Sequence, residues 1–134
     1  LQIKQGVQGA RIIDDTYNAN PTSLAVALNV LSRYPGKRYL VLGDMGELGE
    51  TSAQLHIDAG SNAKQMNIDG LFAVGDLSKH AVQRFGNGAY HFIQHDDLAD
   101  AIKPIITNDT TILIKGSRSM KMEHIVNALL EEQV

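Results

Sequence analysis

The chain has 134 residues, of which 43% are hydrophobic and 20% are charged, as expected for one globular domain with a buried core. Its formal net charge of −3 argues against nucleic acid as the main partner, because phosphate binding requires clustered lysine and arginine. The absence of cysteine excludes disulfides and thiolate metal sites. No segment approaches the roughly 18 apolar residues of a membrane span, so we expect a cytoplasmic protein without a membrane partner.

Short apolar runs rich in β-branched residues alternate with amphipathic stretches along the chain, and these runs predict strands. In chain order, the predicted strands are residues 10–14, 38–42, 70–74, 89–92 and 111–114. Residues 1–4 could add an edge strand, paired antiparallel with residues 10–14 through the turn from Gly6 to Gly9.

Helices are predicted after these strands by apolar residues at helical spacing, such as Leu24, Leu28 and Leu31. The predicted helices are residues 22–33, 52–66, 77–85, 97–103 and 121–132. Asn20 is expected to cap the first helix, with Pro21 in its first turn. Strict alternation with short connections predicts a Rossmann-like α/β/α sandwich, with a mostly parallel sheet of about six strands and one possible antiparallel edge strand.

The most polar strand-to-helix connection is the segment DDTYNANP, residues 14–21. In an α/β protein this connection lies at the carboxyl edge of the sheet, where ligands bind. Adjacent carboxylates repel each other and a helix needs one cap, so Asp14 and Asp15 indicate a functional site. Asp76 and Asp96 each directly precede a predicted helix, and we interpret them as turn and helix-start residues.

A second polar segment, KGSRS at residues 115–119, leaves a predicted buried strand and enters a helix. Free helix amides and two cations suit a carboxylate or phosphate, which Arg118 can bind through two parallel hydrogen bonds. A purely structural interpretation makes Ser119 a helix cap and pairs Lys115 with Asp15 across the sheet edge. We favour the cap for Ser119 and ligand binding for Arg118.

The glycine-rich segment GDMGELG, residues 43–49, lacks both the Walker pattern and the glycine spacing of dinucleotide sites. Its acidic residues would also repel a pyrophosphate. We predict a loop that shapes a pocket or contacts a neighbouring domain, through Asp44, Met45, Glu47 and Leu48. The five histidines show no metal-site spacing, and we predict neither a metal site nor a catalytic residue in this chain alone.

These three segments, in this order, resemble the C-terminal domain of the Mur ligases, and the resemblance covers essentially the whole chain. It implies that residues 1–134 form one domain of a three-domain, ATP-dependent, amide-forming ligase of peptidoglycan synthesis. A start at Leu1, in what reads as mid-strand, fits such a piece. The implied partners are UDP-N-acetylmuramoyl-tripeptide, D-alanyl-D-alanine and the central ATPase domain of the same chain. ATP and Mg²⁺ would be held mainly by that central domain.

The resemblance also implies roles for single residues. Asp15 would contact the ribose of ATP, and the residues near the nucleotide would be Tyr17, Asn18 and Asn20. The residues that border the incoming amino-acid substrate would be Lys115, Gly116, Ser117 and Arg118. Because the chain has no P-loop, we expect the isolated domain to be catalytically inactive.

An alternative interpretation is a phosphoacceptor receiver domain. Asp14 and Asp15 would be its paired acids, Lys115 its lysine after the last strand, and Asp76 its phosphoacceptor. Against this, a helix pattern begins at once after Asp76, and glycine rather than proline follows Lys115. A plain dinucleotide-binding module is a third possibility, weakened by the missing glycine fingerprint.

Overall fold

A computed structural model describes residues 1–46 and 49–131 of the chain. One mixed sheet lies between two layers of helices. In chain order the strands are β1 (Gln2–Gln5), β2 (Arg11–Asp15), β3 (Lys37–Gly43), β4 (Gly70–Val74), β5 (Ala89–Phe92) and β6 (Thr110–Lys115). The helices are α1 (Pro21–Ser32), α2 (Ser52–Gln65), α3 (Ser78–Phe85), α4 (His95–Ile102) and α5 (Glu123–Leu129). The predicted three-layer fold is confirmed.

The strand order is β1-β2-β6-β3-β4-β5, with β1 antiparallel to β2 and all other neighbours parallel. The last strand, β6, therefore lies between β2 and β3. This order brings Asp15 at the end of β2 directly opposite Lys115 at the end of β6. Two segments that are 100 residues apart in the chain thus meet at one edge of the sheet.

Each face of the sheet packs against its own helices. Helices α1, α2 and α3 cover the face that contains Ile13, Leu42 and Leu113. Helices α4 and α5 cover the opposite face, to which the neighbouring residues Ile12 and Ile114 belong. Successive strand residues point to opposite faces, so burial on both faces explains the continuous apolar runs of the strands.

The start of α1 is fixed by a reciprocal capping box. The Asn20 side chain accepts a hydrogen bond from the Ser23 amide at 2.9 Å, and the Asn20 amide donates to the Ser23 hydroxyl at 3.1 Å. Pro21 occupies the first helical position, where no backbone donor is needed. The predicted cap is confirmed, and it fixes the end of the polar segment 14–21 against the sheet.

The last helix differs from the prediction of 121–132. Lys121 has a left-handed backbone (φ 52°, ψ 47°), so α5 begins only at Glu123. The helix ends at Leu129, and Leu130 forms a β-bridge with Gly6. Residue 132 lies outside the described part of the chain. In the ranges that the structure describes, no helix is both long and apolar enough to cross a membrane.

Candidate functional site

The candidate site lies where β2 and β6 end side by side. The helix after β2, α1, packs on one face of the sheet, whereas α5, the helix after β6, packs on the other. Such a reversal opens a crevice at the carboxyl ends of the strands, which is where open α/β sheets bind ligands. Both polar segments singled out from the sequence border this crevice.

Two of the clefts at this edge of the sheet are lined by Asp15. The first has a volume of about 570 Å³, and its lining includes Asp14, Asp15, Thr16, Tyr17, Arg118, Lys121 and Glu123. The second measures about 530 Å³ and extends over the start of α1, where its lining includes Asp15, Tyr17, Asn18, Ser23, Val26 and Lys115. Leu1, Asp15 and Tyr17 line both clefts and lie between them.

Asp15 and Lys115 form the central ion pair of the site, with 2.7 Å between Lys115 Nζ and Asp15 Oδ2. The same ammonium donates to the carbonyl of Asn18 at 2.9 Å. The Lys115 side chain is 1% exposed and that of Asp15 is 18% exposed. A buried ammonium is tolerated when a carboxylate and further acceptors replace water, as they do here. The structural interpretation of Lys115, in which it pairs with Asp15, therefore agrees with the structure.

The neighbouring acid, Asp14, has a separate set of partners. Its carboxylate lies 2.8 Å from Lys4 Nζ on β1 and accepts hydrogen bonds from the hydroxyl and amide of Thr16. Burial opposes ionisation of Asp14, but the bonds from Lys4 and Thr16 outweigh it and lower the pKa of this carboxyl. Two adjacent acids are thus stable side by side because each has its own lysine.

The Lys4–Asp14 pair predicts a pH-dependent stability difference. A carboxyl whose pKa is lowered by folding stabilises the native state above its ordinary pKa, and this contribution is lost as the pH falls through the lowered value. Lys4→Met should therefore reduce the unfolding free energy by about 0.5–1 kcal/mol at pH 7. The difference from wild type should shrink below about pH 4, as Asp14 becomes protonated.

Urea unfolding of both chains between pH 3 and pH 7 measures this difference. Lys79→Met, which removes an exposed lysine on α3, serves as the control. A Lys4→Met deficit of the same size at pH 3 and pH 7 would contradict the pairing.

Tyr17 and Arg118 connect the two polar segments above the ion pair. The Arg118 guanidinium carbon lies 5.2 Å from the centre of the Tyr17 ring, within the range of a cation–π contact. Tyr17 is 75% exposed, and Arg118 is also exposed. Both side chains can therefore contact a ligand in the clefts without rearrangement of the core.

The two predicted amides of segment 14–21 differ in availability. Asn18 is exposed, and its side-chain oxygen accepts from the following amide, that of Ala19, at 2.8 Å. The Asn20 side chain is engaged in the α1 capping box. Asn20 therefore holds the turn in place, whereas Asn18 lies at the surface of the second cleft.

The structure separates the four predicted substrate residues by burial. Gly116 is buried, and a Cβ there would lie 2.6 Å from Met122 Cγ, so the position requires glycine. Ser117 is buried, and its amide donates to the Asp44 carbonyl at 2.9 Å. Of these four residues, Arg118 is the exposed one. Ser119 does not cap an α-helix, since it lies inside the 3₁₀ turn Arg118–Met120.

The glycine-rich loop after β3 is held inside the domain. The Asp44 carboxylate accepts from the Ser78 amide and hydroxyl, both at 2.8 Å, and from the Leu77 amide at 3.2 Å. It therefore caps the start of α3. Met45 is buried in the core, and its amide donates to the buried His56 ring at 3.0 Å. The Asp44 and Met45 side chains are thus directed inwards, and the predicted residues Glu47 and Leu48 lie outside the described residues.

His56 is a structural residue whose contacts the sequence interpretation did not predict. Its ring is fully buried and bridges the Met45 amide and the Ser52 carbonyl, the latter at 2.6 Å. Because one partner donates and the other accepts, the ring binds both as the neutral tautomer protonated on Nδ1. Its position in the buried stripe with Ala59, Gly60 and Ala63 was the available signal.

Comparison with known proteins identifies similar chains. Residues 1–118 match the family described as "Mur ligase, glutamate ligase domain". The chain is 43% identical over 122 residues to the UDP-N-acetylmuramoyl-tripeptide–D-alanyl-D-alanine ligase of Escherichia coli K12, covering 90% of the chain and 27% of that protein. It is 36% identical over 138 residues to the enzyme of that name from Bacillus subtilis 168, covering 98% of the chain and 30% of that protein.

Solved structures agree with these similarities. MurF from Acinetobacter baumannii superposes with a TM-score of 0.88 at 33% identity, covering 98% of the chain and 30% of that structure. The MurF ligase from Thermotoga maritima in complex with ADP gives a TM-score of 0.85 at 25% identity, covering 95% and 29%. The chain therefore spans less than a third of the length of each of these four proteins.

The receiver alternative is not supported by these similarities. The strand order also differs, because the parallel strands, numbered along the chain from β2, follow the order 1-5-2-3-4. Flavodoxin-like receivers have the order 2-1-3-4-5. In addition, Asp14 and Asp15 are each already paired with a lysine.

Proposed function

The chain belongs to the family of Mur ligase glutamate ligase domains, and we propose that it is the C-terminal domain of an ATP-dependent ligase that joins D-alanyl-D-alanine to UDP-N-acetylmuramoyl-tripeptide. The observation that carries this proposal is the meeting of segments 14–21 and 115–118 at one crevice, with a carboxylate on one side and an exposed arginine on the other. The similarity to ligases with these substrates supports the choice of reaction.

We assign the second cleft to the nucleotide. Asp15 binds Lys115 through Oδ2, and its other oxygen can accept a hydrogen bond from a ribose hydroxyl. Tyr17 and Asn18 line the same cleft. Asn20 contributes indirectly by fixing this turn to α1.

We assign the first cleft to D-alanyl-D-alanine. Its wall carries Arg118, whose planar guanidinium suits the terminal carboxylate of a dipeptide. Gly116 and Ser117, buried directly before Arg118, support this wall from inside. In this assignment the nucleotide and D-alanyl-D-alanine would meet at the boundary between the clefts, next to the Tyr17–Arg118 contact.

In the proposed reaction, a carboxylate oxygen of the tripeptide attacks the γ-phosphorus of ATP, giving an acyl phosphate and ADP. The amine of D-alanyl-D-alanine then attacks the acyl carbon, and phosphate leaves as the amide forms. Water competes with the amine for the acyl phosphate, so closure of this domain over the rest of the enzyme contributes by excluding water.

We further propose that Mg²⁺ and the triphosphate are held mainly by the central domain of the longer protein, where the metal neutralises phosphate charge. Asp14 and Asp15 are engaged with lysines, and residues 1–46 and 49–131 contain no cluster of three or more potential metal ligands of the His, Asp or Glu type. The whole enzyme, which would include the central ATPase domain, would act in the cytoplasm.

The decisive experiment uses the full-length product of the parent reading frame, in which a P-loop should lie about two hundred residues upstream. With ATP, Mg²⁺, UDP-N-acetylmuramoyl-tripeptide and D-alanyl-D-alanine, we expect the pentapeptide product and ADP in equal amounts. The 134-residue chain alone should give no detectable product. Failure of the folded full-length protein to ligate these substrates, or substantial turnover by the isolated chain, would overturn the proposal.

A further inference from the structure

We infer that Lys115 is a positioning residue of the nucleotide side, which orients Asp15 and the turn from Asp15 to Asn18 without contacting either substrate. This inference rests on the proposed function and changes the role that the family resemblance implies for Lys115. Its basis is the burial of the ammonium group together with the two partners that surround it.

The position of Lys115 in the sheet prevents it from reaching a substrate in the first cleft. It ends β6 between β2 and β3, opposite Asp15 on one side and Leu42 on the other. It is the largest of the fully buried side chains of the described residues. Although it contributes to the floor of the second cleft, only 1% of its side chain is exposed.

The bonds made by Lys115 all lead to the nucleotide side. Its ammonium donates to Asp15 Oδ2 at 2.7 Å and to the Asn18 carbonyl at 2.9 Å, which uses two of its three N–H donors. Arg118, three residues further along the chain, supplies the exposed cation of the first cleft, which we assign to D-alanyl-D-alanine. The segment 115–118 thus contains two cations with different roles.

Three contacts hold the turn that carries the nucleotide residues. Lys115 fixes the Asp15 carboxylate at its start and the Asn18 carbonyl in its middle, and the Asn20 capping box fixes its end. Loss of the ammonium would free the Asp15 side chain to rotate and would release the backbone next to Tyr17. The consequence should be weaker nucleotide binding, whereas binding of D-alanyl-D-alanine should be largely unaffected.

The test compares Lys115→Met, Asp15→Asn and the double variant in the full-length ligase. Lys115→Met should raise the KM for ATP about tenfold and change the KM for D-alanyl-D-alanine by less than about twofold. Because Lys115 and Asp15 act on the same turn, the increase in the KM for ATP of the double variant should be smaller than the product of the two single increases. Lys79→Met is the control, since it removes an exposed lysine on α3 that lines neither cleft and should leave both KM values nearly unchanged.

A raised KM for D-alanyl-D-alanine with an unchanged KM for ATP would overturn the inference, as would additive effects in the double variant. If Lys115→Met does not fold, because Asp15 is left without its cation, the double variant has neither charge and replaces it in the test. Its KM for D-alanyl-D-alanine should then stay within about twofold of that of Asp15→Asn, and a larger increase would overturn the inference. Ligation by the wild-type enzyme, measured first, tests the proposed function separately from these ratios.

Discussion

Replacing Asp15 with alanine in the full-length ligase should raise the KM for ATP about tenfold to a hundredfold, because a hydrogen bond to a charged group contributes roughly 1.5–3 kcal/mol. The KM for D-alanyl-D-alanine should change little, since Asp15 faces the nucleotide in the proposed arrangement. Alanine also leaves the buried Lys115 without its counter-ion, which lowers stability. Asp15→Asn also removes the charge, but its amide oxygen can still accept a hydrogen bond from Lys115, so this variant should lose less stability than Asp15→Ala.

Arg118→Ala should have the opposite effect to Asp15→Ala, raising the KM for D-alanyl-D-alanine and not the KM for ATP. The exposed guanidinium supports no buried group in the described structure, so its loss should leave the fold intact and raise the KM for D-alanyl-D-alanine about tenfold or more. Arg84→Ala, which removes an exposed arginine on α3, is the control. Steady-state kinetics with one substrate varied at a time measure both constants. If Asp15→Ala acted on the acceptor and Arg118→Ala on ATP, the assignment of the two clefts would be wrong.

Outside the crevice, Asp44→Ala is expected to lower the stability of the domain. This carboxylate accepts three hydrogen bonds at the start of α3, two of them from the buried Ser78. Its removal leaves backbone donors of the helix start without their acceptor, at a cost of about 2–3 kcal/mol in unfolding free energy. Urea unfolding of the 134-residue chain, followed by circular dichroism, measures the difference.

Asp76→Ala provides a close comparison, because Asp76 is an exposed acid just before the same helix. Its loss should change the unfolding free energy by less than about 0.5 kcal/mol. Equal effects of the two substitutions would show that Asp44 acts only through general charge near α3. A raised KM for either substrate, without lost stability, would instead support the pocket role predicted for the loop 43–49.

The fold was predictable because its determinants are local. Apolar runs indicate the strands one by one, and amphipathic stretches indicate the helices. The start of α1 is marked by Asn20 and Pro21, two neighbouring residues. The start of the last helix was not predictable in this way. Lys121 adopts a left-handed conformation within a tight turn, although its side chain alone would be compatible with a helix.

The site was only partly predictable, because contacts between distant parts of the chain decide which of its side chains are buried and which are exposed. Asp15 and Lys115 meet only because β6 returns to lie beside β2. Polar residues at strand ends suggest exposure, yet Lys115 and Ser117 are buried by the strands and loops around them. The contact of Asp44 with the start of α3 was not predictable, because that helix lies more than 30 residues further along the chain.

A crystal structure of the full-length ligase with a non-hydrolysable ATP analogue and D-alanyl-D-alanine would test the division of the crevice most directly. We expect the Asp15 carboxylate within hydrogen-bonding distance of a ribose hydroxyl in the second cleft. Arg118 should bind the dipeptide carboxylate in the first cleft, and Lys115 should touch neither ligand. A nucleotide bound away from the turn 14–21, or a dipeptide bound away from Arg118, would contradict the proposed site.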